Sequence, residues 1–180
     1  MVVFGTRPEA IKMAPVVFKL KSNLQKFESI IVATAQHREI LDQALSLFNI
    51  KPDIDLNLMN TRQGLPALTA RVLESMETTL NNIKPDIVLV QGDTTTVFAT
   101  ALAAFYQKIP VAHVEAGLRS HNIYSPFPEE VNRRLTTVMT AIHFAPTPGA
   151  KQALLNEGVA TDKIVAVSYT HLTLPTKRIV

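Results

Sequence analysis

The stretch IVLVQGDTTTVFATALAAFYQKIPVAHV, residues 87–114, decides the fold. It begins with a short apolar run, continues through a segment of helical length, and ends in a second short apolar run. Two such runs around one helix are typical of parallel strands that are joined by a crossover helix. Both runs are apolar at nearly every position rather than at alternate positions, which indicates a sheet covered on both faces.

The same alternation extends over the rest of the chain. Strands are predicted at residues 2–4, 29–34, 54–59, 87–90, 111–114, 142–145 and 164–167. Helices are predicted to begin near Thr6, His37, Pro66, Asp93, Pro128 and Thr147. The predicted fold is therefore α/β, with a doubly wound, mainly parallel, Rossmann-like sheet. Pro15 is expected to kink or split the first helix, because it cannot donate a hydrogen bond to the carbonyl of Ile11.

The composition is that of one compact domain. Of the 180 residues, 47% are hydrophobic and 18% are charged, and the net charge is +3. The basic residues form no stripe, so a nucleic-acid partner is not expected, and a small anionic ligand fits the charge better. The absence of cysteine excludes disulfides, thiolate zinc sites and cysteine nucleophiles, and it suits the cytoplasm. No apolar stretch is long enough for a membrane span, so no membrane partner is expected.

Ligands of open α/β sheets bind beyond the carboxyl ends of the strands, and GTRPEAIK, residues 5–12, lies at such an end. Thr6 and Glu9 have the spacing of a capping box. Free backbone N–H groups at this helix start, with Arg7 beside them, could hold an anion; the alternative is a well-capped helix with an exposed arginine. The stretch is not GxGxxG, so a nicotinamide site is disfavoured.

A second polar stretch, QGDTTT at residues 91–96, follows the fourth predicted strand. Asp93 is either the N-cap of the next helix or a functional carboxylate. Three successive threonines are unusual in a first helical turn, because threonine is a mediocre helix former. Hydroxyl groups that face a polar ligand would account for them.

The third stretch, HVEAGLRSHNIYSPFPEEVNRR at residues 113–134, crowds ionisable groups after a strand. His113 and Glu115 alternate along the chain and are expected to share a face, with Arg119 as a partner of Glu115. His113 by itself is more often a hydrogen-bonded core residue than a catalytic group. A metal site that adds His121 to this pair is disfavoured, because His121 lies on a loop.

The end of this stretch opens a predicted helix. Glu129 and Glu130 are each followed four residues later by an arginine, Arg133 and Arg134 respectively. This spacing is typical of two ion pairs on a helix surface. Because adjacent positions differ by about 100° around the helix axis, one pair is expected to face solvent and the other the cleft.

Five motifs, in their order and spacing, carry a resemblance to a known family. They are GTRPEAIKMAP, TAQHRE, QGDTTT, HVEAGLR and SPFPEEVNR. Together they resemble the non-hydrolysing UDP-N-acetylglucosamine 2-epimerases, from Met1 to about Val167. The resemblance implies the N-terminal half of a glycosyltransferase-B-type fold, whose active site lies between two domains. Residues 168–180, SYTHLTLPTKRIV, have no counterpart and are expected to be a mobile tail outside the domain.

The resemblance also implies roles for individual residues. The catalytic carboxylates of the family match Asp93, Glu115 and Glu129. Its substrate-binding positions match Arg7, Lys12, His113 and Arg133. A second, regulatory molecule of UDP-N-acetylglucosamine is held in the family by positions that match Gln36, Arg62 and Gln63, although Glu39 stands where some members have glutamine. The family further implies UDP-N-acetylglucosamine as the partner, a homodimer, a cytoplasmic location, and neither a cofactor nor a metal.

The implied reaction is intelligible from the sugar itself. The C2 proton has no adjacent carbonyl, so without an oxidising cofactor the accessible route is elimination of UDP from C1 and C2, followed by re-addition. Inversion needs proton-transfer groups on both faces of the sugar, and carboxylates suit the positive charge that grows on the ring. Two other functions stay open: a glycosyltransferase of the same architecture, and a non-catalytic module that binds a nucleotide sugar.

Overall fold

The computed structural model describes residues 1–34, 38–58 and 64–167, without the side chains of residues 38 and 39. Three of the implied regulatory positions, Gln36, Arg62 and Gln63, lie outside the described residues, and so do the side chain of Glu39 and the tail at 168–180. Strands and helices alternate in the part that is described. They are β1 Val2–Phe4, α1 Arg7–Lys21, β2 Ile31–Ala33, α2 Arg38–Leu47, β3 Ile54–Asp55, α3 Leu65–Ile83, β4 Val88–Gln91, α4 Thr95–Tyr106, β5 Val111–Val114, α5 Glu129–Met139, β6 Ile142–Ala145, α6 Pro148–Asn156, a 3₁₀ turn at Thr161–Lys163 and β7 Ile164–Ala166.

The strands form one parallel sheet in the order β3-β2-β1-β4-β5-β6-β7. Val2 of β1 lies opposite Ile31 of β2 on one side and Leu89 of β4 on the other. The strand order therefore reverses at β1 and β4, and such a switch point leaves a crevice outside the carboxyl ends of the two strands. The predicted fold class is confirmed, and the turns that follow these two strands carry GTRPEAIK and QGDTTT.

Alternate residues of the central strands supply the cores on the two faces of the sheet. Val3 packs with α3 and α4 in one buried cluster, whereas Val2 and Phe4 pack with α1 and α2 in another. This explains why β1 is apolar at all three positions, since a strand that is covered on both faces has no solvent side. In the described parts of the chain, no helix is long and apolar enough to cross a membrane.

Three local predictions need correction. The N-cap of α4 is Thr94 rather than Asp93, and the Thr94 hydroxyl accepts a hydrogen bond of 3.3 Å from Val97 N–H. Of the kink or split expected at Pro15, the split does not occur: helix α1 continues to Lys21, with buried Met13, Ala14 and Val17 on both sides of the proline. Strand β3 ends at Asp55, well short of residue 59.

Candidate functional site

A cavity of about 210 Å³ lies at the switch point, where the turns after β1 and β4 meet the turn after β5. Four of the candidate residues line it together: Lys12, Asp93, Glu115 and Arg133. The sheet order brings them together, because β4 is the neighbour of both β1 and β5. The cavity thus combines side chains from three separate crossover units.

Glu115 is fixed by contacts on both of its carboxylate oxygens. Lys12 Nζ lies 2.8 Å from Oε1 and 2.6 Å from Oε2, and the buried side-chain amide of Gln91 donates to Oε2. Glu115 follows the last residue of β5 and has a left-handed backbone, with φ of 69°. Few non-glycine residues adopt this conformation, and those that do concentrate at functional sites. The carboxylate therefore leaves the strand and turns toward the cavity.

Asp93 is held by two successive residues of α5. Arg133 donates through NH2 to Asp93 Oδ2, and the Asn132 amide donates to the Asp93 backbone carbonyl at 2.9 Å. The Asp93 side chain keeps 30% of its exposure, so it is free to meet a ligand. Because Thr94 caps α4, the Asp93 carboxylate does not serve as the cap of this helix.

The two glutamates that open α5 differ in their surroundings. Both arginines pair with Glu130, Arg133 at 3.3 Å and Arg134 at 2.9 Å, so the predicted pair of Glu129 with Arg133 is replaced by an i,i+3 contact to Glu130. Glu129 is partly buried, and its Oε2 has no hydrogen-bond partner. It does not line the cavity with Asp93 and Glu115. Of the three implied catalytic carboxylates, Asp93 and Glu115 therefore line the cavity and Glu129 does not.

Glu130 is fully buried and charged. Burial by itself raises the pKa of this carboxyl, but the Ser120 N–H, the Arg134 side chain and the Arg133 charge lower the pKa by more. The net result is a pKa below the usual range. Glu130 therefore stays ionised inside the protein at neutral pH.

Backbone N–H groups at the start of α1 are occupied by Glu9, a residue of the same helix. Glu9 Oε2 accepts hydrogen bonds from Gly5 N–H at 2.6 Å and from Thr6 N–H at 3.4 Å, so these groups are not free to hold an anion as the sequence suggested. Burial raises the pKa of Glu9. Arg7 is exposed and does not line the cavity. The alternative prediction, a well-capped helix with an exposed arginine, describes this turn.

His113 is a core residue next to the cavity. It is 1% exposed, and its Nε2 lies 2.6 Å from the carbonyl of Gly92, which lines the cavity. Burial lowers the pKa of His113 to about 4, so the ring is neutral at physiological pH. Arg119, expected to pair with Glu115, instead binds Glu157 at 2.6 and 2.7 Å. Lys12, rather than Arg119, contacts both oxygens of Glu115.

Comparison with known proteins gives the family. The profile described as UDP-N-acetylglucosamine 2-epimerase matches residues 19–173. The chain belongs to this family. The UDP-N-acetylglucosamine 2-epimerases of Neisseria meningitidis and Escherichia coli K12 are each 56% identical to it over 170 residues, which are 94% of this chain and 45% of each relative. The chain thus spans less than half the length of these relatives.

Solved structures of epimerases show the same fold. The Neisseria meningitidis enzyme bound to UDP-GlcNAc superposes with a TM-score of 0.89 and 57% identity, over 92% of this chain and 44% of that chain. Acinetobacter baumannii MurG, at 14% identity, superposes with a TM-score of 0.64 over 93% of this chain and 44% of its own. The likeness to MurG shows a shared fold alone.

Two residues of this epimerase-family site were not singled out from the sequence. Gln91 is a buried amide at the end of β4, and its signal was a polar residue at the end of an apolar strand. Glu130 was predicted to form an i,i+4 ion pair with Arg134, without an assignment to the solvent or the cleft side, because spacing on a helix does not show which side faces the core. Its burial depends on the loop before α5, which local sequence patterns do not define.

Proposed function

We propose that the protein that carries this chain is a non-hydrolysing UDP-N-acetylglucosamine 2-epimerase, which interconverts UDP-N-acetylglucosamine and UDP-N-acetylmannosamine. The observation that carries the proposal is the pair of carboxylates in one cavity, Asp93 with Arg133 and Glu115 with Lys12. Family membership supports the same chemistry. The cavity thus offers negative charge for a cationic sugar ring and positive charge for a departing diphosphate.

The reaction breaks two bonds of the substrate. The C1–O bond to UDP breaks as positive charge grows on the ring, while C2 loses its proton to a base. A proton then returns to C2 on the opposite face, and UDP adds again at C1. Lys12 and Gln91 donate to the two oxygens of Glu115 and so fix this carboxylate where it can stabilise the positive charge that grows on the ring. Asp93 faces the cavity from the neighbouring strand, and Glu129 is the third proposed catalytic carboxylate.

Lys12 and Arg133 are the cations that we propose for the substrate. Their side chains are 39% and 13% exposed, so Lys12 reaches a ligand more readily than Arg133 does. Arg7 is proposed to contact the same ligand from outside the cavity lining. His113 is proposed to act indirectly, by fixing the Gly92 carbonyl. The proposed regulatory site, at Gln36, Arg62 and Gln63, binds a second molecule of the substrate.

Residues 1–167 are proposed to be one domain of a two-domain enzyme. The support is the chain's length, which is about 45% of its relatives, and the open position of the cavity at the edge of the sheet. A second domain would then complete the cleft and supply most of the contacts to the nucleotide. We further propose a homodimeric, cytoplasmic enzyme without a cofactor.

The test uses a protein that extends this chain to the full length of its relatives. Incubation with UDP-N-acetylglucosamine in deuterated water should place deuterium at C2 and form the manno epimer without any acceptor. D93N, E115Q and E129Q should each lower turnover by about 10²- to 10⁴-fold, the range of acid–base groups. Transfer of the sugar to an acceptor would instead favour a glycosyltransferase, and binding without isotope exchange would favour a sensor. Full turnover in all three variants would refute the catalytic assignment.

A further inference from the structure

Glu130 is the most deeply buried carboxylate next to the cavity, yet it does not line it. It is 0% exposed, and its two oxygens accept hydrogen bonds from three groups. Arg134 Nε donates to Oε1 at 2.9 Å, while Ser120 N–H at 2.9 Å and Arg133 NH1 at 3.3 Å donate to Oε2. A glutamate in a first helical turn needs no such burial in order to favour the helix dipole.

These contacts join the two sides of the cavity. Through Arg133, Glu130 is connected to Asp93, because the guanidinium donates to Glu130 with NH1 and to Asp93 with NH2. Through the Ser120 N–H, it is connected to the segment that begins at Glu115 and includes Leu118, another lining residue. One buried carboxylate thus contacts both the arginine that holds Asp93 and the loop that carries Glu115.

We propose that Glu130 is a positioning residue that fixes Arg133 and the 115–120 segment, and thereby the placement of Asp93 and Glu115 across the cavity. The proposal rests on the proposed epimerase function and adds a residue to it. Without the Glu130 charge, Arg133 has one carboxylate partner instead of two, and the Ser120 N–H loses a charged acceptor. The two carboxylates would then meet the sugar ring in a less defined geometry, which costs rate more than affinity.

The experiment measures kcat and KM by C2 deuterium exchange in the full-length protein, at a temperature where circular dichroism shows each variant to be folded. E130Q should lower kcat about 10- to 100-fold and change KM less than about threefold, since a misplacement of roughly 1 Å has this cost. The matched control is R134Q, which removes the other arginine partner of Glu130; that side chain is 39% exposed, and its hydrogen bond goes to Glu130 rather than to Asp93 or to residues 115–120. R134Q should keep kcat within about twofold.

A double-substitution cycle separates positioning from general stability. In an R133K background, where the fork that bridges Glu130 and Asp93 is absent, E130Q should lower kcat much less than it does in the wild type. Equal losses in both backgrounds, or full kcat in E130Q, would overturn the proposal. If E130Q does not fold, E130D replaces it, since aspartate is one methylene shorter and cannot keep the same contacts; full kcat in E130D would also overturn the proposal. An inactive wild-type protein would instead refute the epimerase function.

Discussion

Lys12 and Glu115 are in direct contact although 103 positions separate them, with Nζ 2.6 Å from Oε2 and 2.8 Å from Oε1. The contact joins the first turns of α1 to the end of β5 across the end of β4. It neutralises a carboxylate that lies where the chain has a left-handed backbone. Removal of the Lys12–Glu115 contact should therefore affect the reaction rather than the fold.

We predict that K12M lowers kcat/KM for epimerisation by about 10²-fold or more, because Glu115 loses its cation and the ligand loses a positive contact. The matched control is K19M, which removes an exposed lysine from the last turn of the same helix. Steady-state kinetics of both variants in the full-length protein would check this. A similar loss in both would mean that the effect comes from net charge.

The buried histidine predicts acid sensitivity. Burial lowers the pKa of His113 to about 4 in the folded protein, against an ordinary value of 6.5. Between these two values the unfolded chain binds more protons than the folded one, so the free energy of unfolding should fall as the pH is lowered from 6.5 toward 4. H113Q should flatten this dependence. His143, whose pKa burial also lowers to about 4, should leave part of the acid sensitivity in place.

Denaturant unfolding at several pH values between 4 and 7 would measure this effect. The control is H121Q, because His121 is an exposed histidine of the same segment. H121Q should follow the wild-type curve. Parallel curves for the wild type and H113Q would contradict the assignment of the acid sensitivity to His113.

The Arg119–Glu157 pair predicts a stability effect that is separate from catalysis. Arg119 is 1% exposed in its side chain, and it also donates to the Leu118 carbonyl and the Thr137 hydroxyl. E157Q leaves the arginine charge buried without a counter-ion, and we expect the free energy of unfolding to fall by roughly 2 kcal/mol. This is less than for a fully buried pair, because the Glu157 side chain is 34% exposed.

Denaturant unfolding would measure this change, with E74Q on the exposed side of α3 as the control. E74Q should change the free energy of unfolding by less than about 0.5 kcal/mol. An E157Q protein as stable as E74Q would show that the Leu118 and Thr137 contacts suffice to hold Arg119.

Gly117 should tolerate no side chain. Its φ is 89°, and a Cβ atom there would lie 2.2 Å from the backbone carbonyl oxygen of Ala150 in α6. G117A should lower the free energy of unfolding by about 2 kcal/mol or more, since α6 must move away from the loop. At Gly149 the nearest atom is 3.9 Å away, so G149A should be neutral or slightly stabilising in the first turn of α6. Thermal unfolding of the two variants tests this contrast, and equal melting temperatures would contradict it.

Much of the fold was predictable because it depends on local patterns. Apolar runs gave the strands, and Thr6 and Thr147 gave the starts of α1 and α6. The sequence left open whether Asp93 caps α4 or is a functional carboxylate, since aspartate and threonine are both good caps. The structure has Thr94 as the cap, and Asp93 pairs with Arg133. Competition between local and distant partners cannot be judged from adjacent residues.

The candidate site was predictable as a location but not as a set of contacts. Any residue just after β1, β4 or β5 had to lie near one edge of the sheet. Which cation meets which carboxylate depends on the strand order, and this is why Lys12, and not Arg119, contacts Glu115. Burial of Glu130 likewise depends on the path of the loop before α5.

The closed turn at the start of α1 bears on how a charged ligand would be recognised. In many nucleotide-binding folds the first turn offers rigid main-chain donors to a phosphoryl group. Here Glu9 already fills that role from within. Under the proposed function, a diphosphate in the cavity would therefore be met by the ammonium group of Lys12 and the guanidinium group of Arg133, two side chains that carboxylates hold in place, rather than by main-chain amides.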